Sequence, residues 1–163
     1  MNKVVLITGG SSGIGKSIGE FLHHKGFLVY GTSRNPERVL NSVFPLIALD
    51  VRNADSIHSA VTKVIAISGR LDVVINNAGV GITGPLEEIP MEEIKNNFET
   101  NFFGPIEVMK SVLPQMRSQQ SGLIINVTSI AGYMGLPYRS VYSASKGALE
   151  LITEALRMEV KSF

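Results

Sequence analysis

Tyr142 and Lys146 stand four residues apart in the run Tyr142-Ser143-Ala144-Ser145-Lys146. On a helix that spacing puts both side chains on one face, about a turn apart. An ammonium held beside a phenol favours the phenolate, because an opposite charge nearby stabilises the charged form. A phenol that ordinarily ionises well above neutral pH can then exchange protons as a general acid or base. The same pair also describes a surface tyrosine beside a solvated lysine, and spacing alone does not separate the two readings.

A second group of residues has the chemistry of anion binding. Gly9-Gly10-Ser11-Ser12-Gly13-Ile14-Gly15 follows a short aliphatic run and leads into Ile18, Phe21 and Leu22 at helical spacing. In a strand, glycine turn and helix of this kind, the missing side chains let the backbone approach a pyrophosphate. The helix N-terminus adds free N–H groups and a partial positive charge. A tight turn that merely needs glycine is the alternative. About 20 residues further on, dinucleotide folds meet the adenosine ribose, and an acid there binds the 2′-OH of NAD. Here the segment reads Thr32-Ser33-Arg34-Asn35-Pro36, with no acid before Glu37. Arg34 suits a 2′-phosphate and the Ser33 hydroxyl can donate to it, so the expected cofactor is NADP(H), with NAD(H) possible. A solvated loop arginine is the alternative.

These groups need elements to hold them at one edge. Lys3 to Thr8, Phe27 to Thr32, Pro45 to Val51, Leu71 to Ile75 and Leu123 to Val127 read as five buried strands. Asp50 and Val51 end the third, with Asp50 facing an adenine edge. Asn76-Asn77-Ala78-Gly79 ends the fourth and Thr128-Ser129 the fifth, at the edge where open parallel sheets bind ligands. Asn53 or Asp55 is expected to cap a helix whose stripe, Ile57, Val61, Val64 and Ile65, is core. Val80 to Pro90 reads as loop. Pro90 suits the first turn of a helix carrying Ile94, Phe98 and Phe102. Asn101 lies on that helix among apolar neighbours and needs buried partners. Helices over about 105–116 and from about Ser140 to the C-terminus follow. The strand and helix alternation predicts an α/β fold with a right-handed, doubly wound parallel sheet between helical layers, in a single domain over 1–163.

Composition narrows the function. The chain has 163 residues, 44% hydrophobic and 18% charged, with a net charge of +1. That balance suits a globular protein and gives no broad electrostatic reason for nucleic acid or an anionic membrane as partner. Without cysteine, and with three histidines, no metal centre is expected. Val4 to Ile7 is too short for a signal h-region or a membrane span, so a cytoplasmic protein is expected.

With these pieces located, the chain resembles the short-chain dehydrogenase/reductase family along essentially its whole length. Thr8-Gly9, Gly13 and Gly15 match the family's TGxxxGxG loop, and Asn76 to Gly79 its NNAG turn. Asn101, Ser129, Tyr142 and Lys146 match its catalytic four, with Ser129 13 residues before Tyr142. The resemblance implies a Rossmann-like fold and alcohol–carbonyl oxidoreduction with NAD(P)(H). It implies cofactor contacts at Gly9, Ser11, Ser12, Gly13, Ile14, Gly15, Ser33, Arg34, Asp50, Val51, Asn77, Ala78, Gly79, Tyr142 and Lys146. In this scheme Tyr142 is the general acid/base and Ser129 hydrogen-bonds the substrate oxygen. Lys146 supports Tyr142 and holds the nicotinamide ribose, while Asn101 anchors a water relaying protons from Lys146.

The family's chain continues beyond the catalytic helix with further strands and a substrate loop, so the sequence reads as a fragment lacking the last strands. Two function classes follow: an NADP(H)-dependent oxidoreductase acting on a small alcohol or carbonyl, or a non-catalytic dinucleotide-binding or oligomerising module. The resemblance also implies a homodimer or homotetramer through the helices over 105–116 and 140–163. Tyr133, Met134, Leu136 and Tyr138 suggest an apolar or aromatic substrate, or packing for an absent segment.

Overall fold

Val4–Ile7 (β1) is four aliphatic residues in succession, and every one is buried. A strand of this kind belongs inside a parallel sheet covered on both faces. In the computed structural model, which describes residues 2–162, β1 is the central strand. It is followed by α1 (Gly13–His24), β2 (Leu28–Ser33), β3 (Leu46–Ala48), α2 (Ala54–Ser68) and β4 (Val73–Asn76). Then come α3 (Met91–Phe98), α4 (Gly104–Gln119), β5 (Leu123–Asn126) and α5 (Ser140–Glu159). All the pairings are parallel, in the order β3-β2-β1-β4-β5. This is the expected Rossmann-like arrangement.

Side chains alternate across the sheet, and each face has its own core. Val4, Leu6, Tyr30, Ile47 and Val74 meet Ile57, Val61 and Val64 of α2 and Val108, Val112 and Met116 of α4. Val5, Ile7, Val29 and Ile75 meet Phe44, with Ile18 and Leu22 of α1 against them. α1 approaches closely because it carries glycine: a Cβ at Gly19 would stand 2.4 Å from the Phe44 ring. Among the described residues α1 is the helix on that face, so on β5 the side chains of Leu123 and Ile125 remain 52% and 41% exposed.

The helix ends follow their sequence signals in part. Asn53, not Asp55, caps α2: its Oδ1 accepts from Ser56 N at 2.8 Å. Gly69, at φ 70°, ends the helix in the left-handed conformation. Pro90 lies before α3 as its N-cap and not within its first turn. The loop before it contains a 3-10 turn at Leu86–Glu88. The two helices expected over 90–102 and 105–116 run on through a π turn, Glu99–Phe103, in which Gly104 N bonds Glu99 O five residues back. The cause is Pro105. It has no N–H for the carbonyl of Asn101, and its ring would collide with an α-helical carbonyl at that place. The wider turn relieves that conflict without ending the helix. β3 is shorter than expected, since Asp50 already turns toward the cap of α2: its N–H donates to Ser56 Oγ at 3.0 Å.

At the far end of the sheet from these turns, Asp72 is 7% exposed. Its Oδ2 accepts from Val4 N at 2.8 Å and from Arg70 Nε at 2.9 Å. Burial pushes this carboxyl up, but the Arg70 guanidinium, the Val4 N–H and the charges of Arg70 and Lys3 outweigh it. The net effect holds it below the ordinary 3.8. A carboxyl whose folded value is depressed adds stability above its unfolded value and loses it as pH falls through the folded one. The urea midpoint should therefore drop as pH falls below about 4. Asp72→Asn should start lower and fall less steeply over the same range. An equally steep fall in that variant would remove Asp72 from the acid response.

Candidate functional site

The C-terminal ends of β1, β2 and β4 and the segment after β3 open into one cleft of about 730 Å³, within the ~300–1,000 Å³ of small-molecule sites. Gly9, Ser11, Ser12 and Ile14 line it from the glycine turn, and Ser33 and Arg34 from the end of β2. Asp50 and Val51 line it after β3, and Asn77, Ala78 and Gly79 after β4. Four of the expected contacts, Gly13, Gly15, Tyr142 and Lys146, are not in the lining. Gly13 is needed for its backbone, at φ 52°. Gly15 is needed for closeness, because a Cβ there would stand 2.4 Å from both Gly9 O and Asn77 Nδ2. Ser12 precedes α1 without a side-chain bond to it, and the first turn holds no acid. The N–H groups and positive end of α1 are thus left to the cleft.

Thr8, named in the glycine motif but given no role there, holds the two turns together. It is 1% exposed, and its Oγ1 accepts from Asn77 N and Ala78 N, both at 3.0 Å. Asn77 Nδ2 returns the contact, donating to Thr8 O at 3.1 Å and Gly9 O at 3.3 Å. Gly9 N in turn donates to Thr32 Oγ1 at 3.3 Å. The Asn-rich turn is therefore a clamp on the glycine turn and not only a chain reversal.

At the other end of the cleft, Asp50 is matched by Arg52, also missed from sequence. Oδ1 accepts from Arg52 N at 3.0 Å and Oδ2 from Arg52 Nη2 at 3.1 Å. That hydrogen bonding, with the nearby charge of Arg34, holds the Asp50 carboxyl below its ordinary value against the opposing effect of burial. Arg34 itself is exposed, and Ser33 Oγ accepts from Asn35 N at 3.2 Å.

Lys146 is 4% exposed, on α5. Its Nζ donates to Val127 O, just past β5, at 2.8 Å, and burial lowers its pKa below the ordinary lysine value. Asn101 is fully buried in the π turn. Its Oδ1 accepts from Val80 N and its Nδ2 donates to Val80 O, both at 2.8 Å. A Cβ on Gly79 would lie 3.2 Å from Asn101 Oδ1 and 3.5 Å from Lys146 Nζ. The wall of the cleft at Gly79 is thus backed by both residues. Ser129 and Tyr142 are half-buried and do not line the cleft. Ser129 Oγ accepts from Ala131 N at 3.2 Å and caps a 3-10 turn, Ile130–Gly132. Gly132 in that turn lies so near α5 that a Cβ would be 3.1 Å from the Lys146 carbonyl. The Arg139 guanidinium stands 5.8 Å from the Tyr142 ring centre.

Of the residues suggested for a substrate surface, Tyr133, Met134 and Tyr138 are exposed and Leu136 is half-buried. Tyr133 Oη donates to Glu150 at 2.9 Å, and Tyr138 O accepts from Gly84 N at 2.9 Å, joining this segment to the loop after β4. Among the described residues no helix is long and apolar enough to cross a membrane.

Comparison with known proteins agrees with this geometry. The short chain dehydrogenase family matches residues 3–163. The 3-ketodihydrosphingosine reductase of Bacteroides thetaiotaomicron is 48% identical over 161 residues, 99% of this chain and 60% of the relative. The solved structure of ElxO with NADP bound superposes with a TM-score of 0.94 at 31% identity, over 99% of this chain and 69% of ElxO. NAD+-bound xylitol dehydrogenase gives 0.92 at 29% identity, over 98% and 65%. The chain spans about 60% of the length of the reductase it matches. Because the family covers it from residue 3 to residue 163, the chain belongs to the short chain dehydrogenases, a family of oxidoreductases.

Proposed function

We propose that the chain carries the cofactor site and proton-transfer residues of an NADP(H)-dependent oxidoreductase that interconverts an alcohol and a carbonyl. The observation that carries this reading is Lys146, a buried ammonium pinned at the end of β5 and backing the cleft wall at Gly79. Neither packing nor solubility calls for a buried lysine there. The cleft fits a dinucleotide: an α1 N-terminus without a side-chain cap beside close glycines suits the pyrophosphate, and Arg34 with Ser33 suits a 2′-phosphate. Bound there, such a cofactor supplies or accepts the hydride.

In the direction of reduction, the Tyr142 phenol donates its proton to the substrate oxygen as negative charge develops on it. The Ser129 hydroxyl donates a hydrogen bond to the same oxygen. Lys146 holds the ribose of the nicotinamide half and replenishes the proton. The Asn101 carbonyl, which Pro105 leaves without its α-helical donor, anchors a water on that route in this scheme. A ketone is the substrate class favoured by the name of the Bacteroides relative, and the exposed Tyr133, Met134 and Tyr138 favour one with an apolar body.

Titrating the chain with NADPH and NADH, read by nicotinamide fluorescence, tests the cofactor site. NADPH should bind more tightly, and Arg34→Ala should remove about 10- to 100-fold of that preference, the worth of a hydrogen bond to a charged group. Equal affinities in the unaltered chain would take Arg34 out of the site. Binding of neither by the folded chain would overturn the reading. The bare face of β5 favours a second reading, a non-catalytic dinucleotide-binding module. NADPH consumption with ketones, 3-ketodihydrosphingosine first, separates the two: turnover excludes the second reading.

A further inference from the structure

Between the cleft and α5 lies a buried polar cluster in which two members have no role so far, one of them, Asn97, also lining the cleft. Asn97, on the last turn of α3, is 2% exposed, and Ser145, between Tyr142 and Lys146, is fully buried. Ser145 Oγ stands 2.9 Å from Asn97 Oδ1 and 3.0 Å from Tyr142 O. Asn97 Oδ1 also accepts from Asn101 Nδ2 at 3.2 Å, and Asn97 Nδ2 donates to Val80 O at 3.0 Å. Asn101 Nδ2 reaches Ser145 Oγ as well, at 3.3 Å. The hydroxyl has one hydrogen and two acceptors, so it bonds either the Tyr142 carbonyl or Asn97. With one Asn101 amide hydrogen on Val80 O and the other shared between Asn97 Oδ1 and Ser145 Oγ, only the second choice closes a ring through Asn97, Asn101 and Ser145.

Stability does not explain such a cluster, since apolar groups of the same shape would serve a core nearly as well. What the cluster adds is direction. It joins the end of α3, the backbone of Val80 and the middle of α5 by bonds that fail if any one of them slides. Val80 follows Gly79, and Ser145 precedes Lys146, so the cluster sets the same separation that the ligand would meet.

We propose that Asn97 and Ser145 are positioning residues that fix α5 against the Gly79–Val80 wall, so that Lys146 stands where the nicotinamide half of the cofactor binds. This rests on the dinucleotide reading of the cleft. Each deletion leaves the remaining groups with partners. Without the Ser145 hydroxyl, Asn97 Oδ1 keeps Asn101, and without Asn97, Val80 O keeps Asn101. Ser145→Ala and Asn97→Leu should therefore fold.

The test titrates the whole chain and both variants with NADPH and NADH, and with adenosine 2′,5′-bisphosphate and ADP as their adenosine halves. The adenosine compounds should bind the variants as they bind the unaltered chain, while the preferred dinucleotide weakens about tenfold, the worth of one lost hydrogen bond. The double variant should lose less than the product of the single losses, because the two residues share a bond. Unchanged dinucleotide affinity overturns the proposal, and so does an equal loss for dinucleotide and adenosine half, which general loosening would produce. If the unaltered chain binds none of the four ligands, the dinucleotide reading falls and takes this inference with it. If it binds and the variants match it, only the inference falls. Should Ser145→Ala not fold, Ser145→Cys, similar in volume and a weak donor, carries the same comparison.

Discussion

Gly15→Ala should cost the chain its dinucleotide affinity. The new Cβ would stand 2.4 Å from Gly9 O and from Asn77 Nδ2, and neither atom is free to move. Asn77 Nδ2 is tied to Thr8 O and Gly9 O, and the Asn77 backbone to Thr8 Oγ1. The methyl must therefore push α1 away from the glycine turn, parting the helix N-terminus from the loop that together would seat the pyrophosphate. Overpacking of this kind costs about 1–3 kcal/mol, or about 10- to 100-fold in binding where the strain falls on the site. Gly13→Ala is the informative contrast. Nothing lies within 4 Å of its Cβ, and the change meets only the left-handed backbone at φ 52°. That costs roughly 1–2 kcal/mol of folding stability while leaving the seat in place. Fluorescence titration and thermal melts of both variants check this. Matching affinities would mean that the turn does not hold the ligand.

With a ketone that the unaltered chain reduces, Tyr142→Phe should lower turnover about 10²- to 10⁴-fold, the range of general acid–base catalysis. NADPH should bind it as before. Phenylalanine keeps the ring that faces Arg139 and leaves the Tyr142 carbonyl and its contact with Ser145 in place. The variant thus removes a proton donor and nothing that holds the helix. Turnover within a few-fold of the unaltered chain would take Tyr142 out of the proton transfer, and weakened cofactor binding would give the hydroxyl a role in the ground state. Stopped assays at saturating NADPH, beside the binding titration, distinguish these outcomes.

The strands were legible because each holds a short aliphatic run, the signature of a parallel sheet. β5 carries it too, although it is not buried as expected and one of its faces is bare. The exact strand ends were less legible. β3 stops at Ala48 because the Asp50 N–H turns to Ser56 Oγ at the start of α2, a decision made by Ser56 and its cap Asn53 downstream. The π turn was hidden for a similar reason. Gly104-Pro105 is an ordinary helix breaker in sequence, and only packing on both sides, with Gly104 close against Val51, lets the chain continue as a wider helix. At the cleft, the glycines, Arg34 and Asp50 were readable from their places at strand ends, and the Asn76–Gly79 turn and Lys146 stood out through the family resemblance. Thr8, Asn97 and Ser145 showed no role there. They are common residues within regular elements, and what distinguishes them is which neighbours the fold brings to them from 69, 48 and 44 residues away.

The central place of β1 has a consequence for how the chain is made. β1 needs neighbours on both sides, β2 and β4, both later in the chain, and the Asp72 carboxylate that receives its first N–H lies 68 residues on. At ~5–20 residues per second of synthesis that is a delay of about 3–14 s. During it a nascent Val4–Ile7 segment has one bare hydrogen-bonding edge and no chain yet available to fill it. Parallel pairing cannot shorten the wait, because each crossover needs a helix's length of chain. The second edge of β1 is therefore closed only when β4 has emerged, after β2, α1 and α2 are already in place to be folded.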